Sequence, residues 1–247
     1  MSAKGIYGQT LATYRREMGF LLLLGILVFV PIGLLSALAD RAGEIHASHL
    51  SDIFDLATVA LVIGFIVQAT TSLLGEVFYS GAVALTLSQE ERGRRPTLLE
   101  IARSLSYGRL IAVDILYSLG VAVGLLLLVV PGVMAFTWFA LAGPLIELED
   151  DTVKSSFRRS RRLVRGRFWT VLAVLGPITL VSEFLTNAVL SLSHGAIASP
   201  IISDWIGESV TSIALSPFYA VAAVLITLQV TRAESAGSEA RAVGAPG

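Results

Sequence analysis

From residue 19 to residue 230 the chain is built of long apolar runs with almost no charge, and this constrains it more than any other feature. A backbone in hydrocarbon must satisfy its own hydrogen bonds, so only helices or closed barrels are admissible there. Crossing about 30 Å of hydrocarbon takes roughly 20 helical residues. Residues 19–38 and 210–230 carry no charge, 56–87 only Glu76, and 168–193 only Glu183. Residues 110–146 form a run with Asp114 as its sole charge, too long for one crossing, and Pro131-Gly132 near its middle predicts a turn. The reading is six spans in three hairpins, an all-α polytopic membrane bundle. The alternating segments of a barrel are missing, so strands are not expected.

Composition agrees. Of 247 residues, 54% are hydrophobic and 15% charged, against roughly 25% charged in a soluble domain. The formal net charge of −1 argues against a globally basic nucleic-acid partner. With no cysteine there are no disulfides, thiolate metal sites or cysteine nucleophiles. Pro31, Pro131, Pro144, Pro177 and Pro217 lie in or beside the spans. They read either as kinks around a cavity or as the ordinary proline content of membrane helices.

The basic residues orient the bundle. Seventeen of the 18 Lys and Arg residues fall before the first span, in the second and fourth connectors or after the last span, and only Arg41 lies opposite. The positive-inside rule then places both termini in the cytoplasm. Ala37-Leu38-Ala39 has the small-x-small form of a signal-peptidase site, but the preceding apolar run exceeds the usual 7 to 15 residues, so the first span is expected to stay.

A threefold pattern runs through the chain. Basic amphipathic segments pass through Gly19, Gly108 and Gly166 directly into a span, which divides one membrane domain of residues 1–232 into units 1–87, 94–150 and 151–232. Each unit is predicted to begin with a cytoplasmic interfacial helix. In the third, SSFRRSRRLVRGRFW, a helical wheel sets Val153, Phe157, Ser160 and Val164 within about 60° of one another. Arg158, Arg159, Arg161, Arg162 and Arg165 lie on the flank and far side, and are the candidate contacts to anionic lipid head groups. Residues 233–247, rich in Ala, Gly and Ser, are expected to be a disordered cytoplasmic tail.

The stretch 131–175 resembles the membrane domain of bacterial glycerophosphoryl diester phosphodiesterases, which also occurs in stand-alone membrane proteins. The resemblance rests on Pro131, Gly132, Trp138, Pro144, Glu147, Leu163, Gly166, Phe168 and Trp169. It implies a six-span inner-membrane domain. It imports no activity, because in those enzymes the catalytic centre sits in a separate soluble barrel for which this chain has no room.

Ionisable groups inside spans are costly and point to function. Glu183 is the deepest, with Ser182, Thr186 and Asn187 near it on the same helix, and Glu76 lies in the long second span. The reading is a midplane polar site of Glu183, Asn187, Glu76 and Gln68, acting as a proton or cation relay or joining helices by hydrogen bonds. Asp114 and Glu147, close to the inner interface, are expected to form ion pairs with Arg109 or Arg167. In the outer loop His46, His49 and Asp52 would share a helix face, a weak divalent-metal pattern set against a plain acidic loop. No phosphate-binding loop, nucleophile elbow or HExxH helix occurs, so no catalytic, cofactor or metal residue is assigned. The leading expectation is a non-enzymatic membrane protein working through helix packing and lipid or partner contacts at the inner leaflet. A small transporter centred on Glu183 is the alternative; a lipid head-group enzyme using Glu76, His46 and His49 is disfavoured by their opposite faces.

Overall fold

A computed structural model describes residues 3–50, 75–94, 96–197 and 199–243. Among these every regular element is a helix: α1 (Ala3–Leu50), α2 (Glu76–Glu91), α3 (Leu98–Ser104), α4 (Tyr107–Leu127), α5 (Val129–Phe139), α6 (Ala142–Glu149), α7 (Val153–Arg165), α8 (Phe168–Ala196) and α9 (Pro200–Val243). Five stretches of the described residues are long and apolar enough to cross a membrane: Ala3–Leu38, Tyr107–Leu127, Val129–Glu149, Phe168–Ser193 and Pro200–Ala236. The chain is a multi-pass helical membrane protein. Of the expected second span only its end, α2, lies within the described residues. Gln68 and the side chains of His46, His49 and Asp52 fall outside them.

Leu23, Ile26, Leu27, Leu34 and Leu35 stand exposed along α1. In water such a ridge would be an aggregation surface, whereas against lipid tails it carries no penalty. The central helix is α9, where Ala220, Val221, Ala222, Ala223 and Val224 are all fully buried in succession. A helix apolar on every side belongs in the middle of a bundle. Around it pack α1, α8 and α2, while α2 also lies against α6, and α4 and α5 form a hairpin. The α2–α6 crossing is close enough that a β-carbon at Gly143 would overlap the Val77 carbonyl oxygen.

Three local expectations are corrected. The first unit has no separate interfacial helix: α1 runs unbroken from Ala3 through the span, because Gly8 and Gly19 are tolerated within it and no turn residue interrupts it. The hairpin in 110–146 turns at Leu128, whose extended backbone separates α4 from α5, and not at Pro131-Gly132. Pro131 is the third residue of α5, within a first turn whose N–H groups have no helical acceptor, so its missing donor starts a helix where mid-helix it would break one. Residues 233–243 continue α9 in place of a disordered tail. Their alanines suit a helix, and Glu234 pairs with Arg162 at 3.2 Å and Arg159 at 3.7 Å.

The connectors before α4 and α8 do begin with helices, and both carry a reciprocal capping box, from Thr97 to Glu100 and from Thr152 to Ser155. In α7 the buried positions are Ser156, Ser160, Leu163 and Val164, a face rotated slightly from the wheel's stripe, with Val153 and Phe157 half-buried. Ser160 closes a break in the neighbouring span. Pro144 has no N–H to offer the Ala140 carbonyl, and the helix is interrupted at Ala140 and Leu141. The Ser160 hydroxyl accepts the Leu141 N–H at 3.3 Å and donates to the Trp138 carbonyl at 2.6 Å.

Replacing Gly143 with valine is expected to destabilise the bundle by about 1–3 kcal/mol through overpacking. The check is unfolding of the detergent-solubilised protein. A Gly143→Val variant as stable as the parent would mean the crossing has slack.

Candidate functional site

The site begins at the start of a helix. Gly75 has φ 93°, in the left-handed region that glycine adopts without strain, and α2 starts at the next residue. Its first N–H groups therefore emerge inside the apolar part of the protein, where an unpaired donor is costly. Asp114 supplies the acceptors: one carboxylate oxygen accepts the Gly75 N–H at 2.6 Å and the other the Val77 N–H at 3.1 Å. Asp114 is 3% exposed and lies about 10 Å along α4 from Tyr107. Its negative charge also suits the positive end of the α2 dipole.

The expected ion pair of Asp114 with Arg109 is thus overturned. Arg109 instead reaches Asp150 at 2.6 Å, the carbonyls of Asp150 and Asp151, and the Ser106 hydroxyl at 2.5 Å. Glu147 accepts the Ser106 N–H at 3.0 Å, so Glu147 and Arg109 meet through Ser106 and hold the turn between α3 and α4. Arg167 is exposed at the joint between α7 and α8, and its backbone N–H closes that turn on the Val164 carbonyl at 2.7 Å.

Next to the break, five helices enclose a polar cavity of about 50 Å³. By volume it has room for a few waters, at roughly 10–15 Å³ each on this measure. From α8 come Thr179, Ser182, Glu183 and Thr186; from α9 Thr211, Ser212, Ser216 and Tyr219; from α2 Glu76, from α4 Tyr117 and from α5 Phe136. The α8 contribution has the i, i+3, i+4, i+7 spacing of a single helical face. Thr179 and Thr186 stand about 16 and 27 Å along α8 from Phe168, which places the cavity from the middle of the span outward.

One Glu76 carboxylate oxygen accepts the Ser216 hydroxyl at 2.6 Å. The other is buried and has no hydrogen-bond partner among the described residues. Glu183, exposed at the edge of the cavity, interacts electrostatically with Glu76 across it. The hydroxyls of Tyr117 and Tyr219 lie 3.3 Å apart on the far wall. Among the described residues no Lys, Arg or His lines the cavity. Of the polar site expected from the sequence, Glu183 and Glu76 both line this cavity, and Gln68 lies outside the described residues. The sequence reading missed Asn187's true role: its amide donates back to the Glu183 backbone carbonyl at 2.8 Å on the exposed side of α8. It also missed the α9 hydroxyls, whose signal was the spacing of Thr211, Ser212, Ser216 and Tyr219 on one face.

The arginine run splits into two sets. Arg159 is bonded to Glu149 and Glu234, Arg162 to Glu234, and Arg161 stacks over Trp138 at 4.6 Å from the ring centroid. Arg158 and Arg165 stand exposed with Lys154 and Arg167, and Trp169 is 78% exposed beside them. Among the described residues no group of three or more metal-type ligands gathers.

No family model, curated protein or solved structure matches the chain.

Removing the cap should show its worth. Asp114→Ala orphans the Gly75 and Val77 N–H groups and is expected to lower stability by about 2–4 kcal/mol, with Asp114→Asn losing less because one acceptor oxygen survives. Equal denaturant midpoints for both variants and the parent would exclude the carboxylate as a structural cap.

Proposed function

We propose that the protein is a non-enzymatic inner-membrane protein that binds a small cation, the proton included, at Glu76 and passes it by way of Glu183. The observation that carries this reading is Glu76 in the wall of a cavity that it shares with a second carboxylate, one Glu76 oxygen being buried without a hydrogen-bond partner, and no basic side chain lining the cavity, among the described residues. A buried polar atom without a partner costs free energy. A cation at that oxygen removes the cost. Helix ends at membrane depth are a recurrent part of ion sites in transporters, and α2 starts at Glu76, beside Gly75.

The expected role at the inner leaflet draws on other residues and is compatible with this one. Six spans in three hairpins with cytoplasmic termini remain the proposed topology, and the threefold division and the kinship of residues 131–175 to the phosphodiesterase membrane domain remain part of it. Lys154, Arg158, Arg165 and Arg167, which form no ion pair among the described residues, face anionic head groups in this arrangement, with Trp169 at the interface.

Two experiments test these statements. In proteoliposomes containing a pH-sensitive dye, the protein should pass protons or monovalent cations down an imposed gradient. Glu76→Gln should reduce the rate at least tenfold and Glu183→Gln less; a Glu76→Gln variant as fast as the parent would refute the cation site. Because the chain has no cysteine, single replacements report topology cleanly. Arg158→Cys and Leu128→Cys should react with an impermeant reagent from opposite sides, and anionic lipid should shield the former. Labelling of both from one side would overturn the topology, and unchanged reactivity in anionic lipid would exclude the head-group contact.

A further inference from the structure

The chemistry of the cavity wall narrows the cation. We infer that the site selects a small protonated amine, of ammonium or methylammonium size, over a bare metal cation; this rests on the reading that Glu76 takes a cation at all.

The first reason is the balance of donors and acceptors deep in the cavity. The Thr211 hydroxyl donates to the Gly207 carbonyl at 2.6 Å, Thr179 to Leu175 at 3.2 Å, and Ser216 to Glu76 at 2.6 Å. A hydroxyl has one proton, so these three have only lone pairs left for the cavity. The second Glu76 oxygen, when the carboxylate is ionised, can likewise only accept. What this part of the wall lacks is N–H donors, and an ammonium head brings several and no acceptor. Charge-assisted bonds of this kind are about twice as strong as neutral ones.

The second reason is aromatic. Phe136 stands between Tyr117 and Tyr219, with ring centroids 6.4 and 6.3 Å away, and all three line the cavity. Aromatic faces attract ammonium groups, an effect worth more where water is excluded. A hard divalent metal ion would instead require about six or more converging oxygens. Here three of the lining residues are aromatic, and no group of three metal-type ligands forms among the described residues. The small volume, about 50 Å³, admits a cation of few heavy atoms and excludes a bulky amine.

The test is equilibrium binding of labelled methylammonium to the purified full-length protein in detergent, with competition by ammonium, sodium and potassium. The expected result is saturable binding displaced by ammonium at concentrations at least tenfold below those of sodium or potassium. Glu76→Gln should abolish binding, and Phe136→Leu should weaken it about fivefold or more, a loss on the scale of one cation–π contact. Unchanged elution in size-exclusion chromatography and unchanged helicity would confirm that both variants fold. Glu76-dependent binding or flux of sodium or potassium with no methylammonium binding would overturn the amine proposal and leave the cation site standing. Methylammonium affinity unaltered in Phe136→Leu would also overturn it. If no cation binds or moves in a Glu76-dependent way, both readings fall.

Discussion

Asp114 caps a helix that begins inside the membrane, and much of the bundle depends on that one interaction. With its carboxylate on the Gly75 and Val77 N–H groups, α2 can start at Glu76 without leaving orphaned donors in an apolar surround. That start fixes where Glu76 sits. Placed in the first turn of α2, it accepts the Ser216 hydroxyl of α9 on one oxygen and lies in the cavity wall.

A related device appears nearby. Pro144 interrupts the span made of α5 and α6, and Ser160, reaching in from the basic connector helix, joins the Leu141 N–H to the Trp138 carbonyl. A carboxylate caps the start of α2 and a hydroxyl bridges the break between α5 and α6. The two places are linked by the close packing of α2 on α6, where Gly143 lies against Val77. That contact ties the connector at the basic end of the molecule to the helix that carries Glu76, through a short series of packed groups.

The basic run in the third connector accordingly has more than one role. Ser156, Ser160, Leu163 and Val164 pack inward, Arg159 and Arg162 clamp Glu149 and the extended end of α9, and Arg161 covers Trp138. Surface ion pairs of this kind contribute little singly. Several that share partners around one end of the bundle hold the end of α9 against α7, so the residues expected to form a loose tail are helical.

Reading the residues in order was enough to establish an all-helical membrane protein and the approximate place of the spans seen among the described residues, and it singled out Glu76 and Glu183. Those properties depend on local composition and helical period, which a sequence displays directly. It also gave Ser160 a place on the buried face of its helix. Reading in order could not reveal that Asp114 serves a backbone 39 residues away and not a nearby arginine, or that Glu76 meets a serine 140 residues on. It misplaced the hairpin turn because proline reads alike whether it ends a helix or begins one. Which polar groups meet is decided by how distant helices cross, and in a medium without water each buried donor and acceptor must find its partner across those crossings.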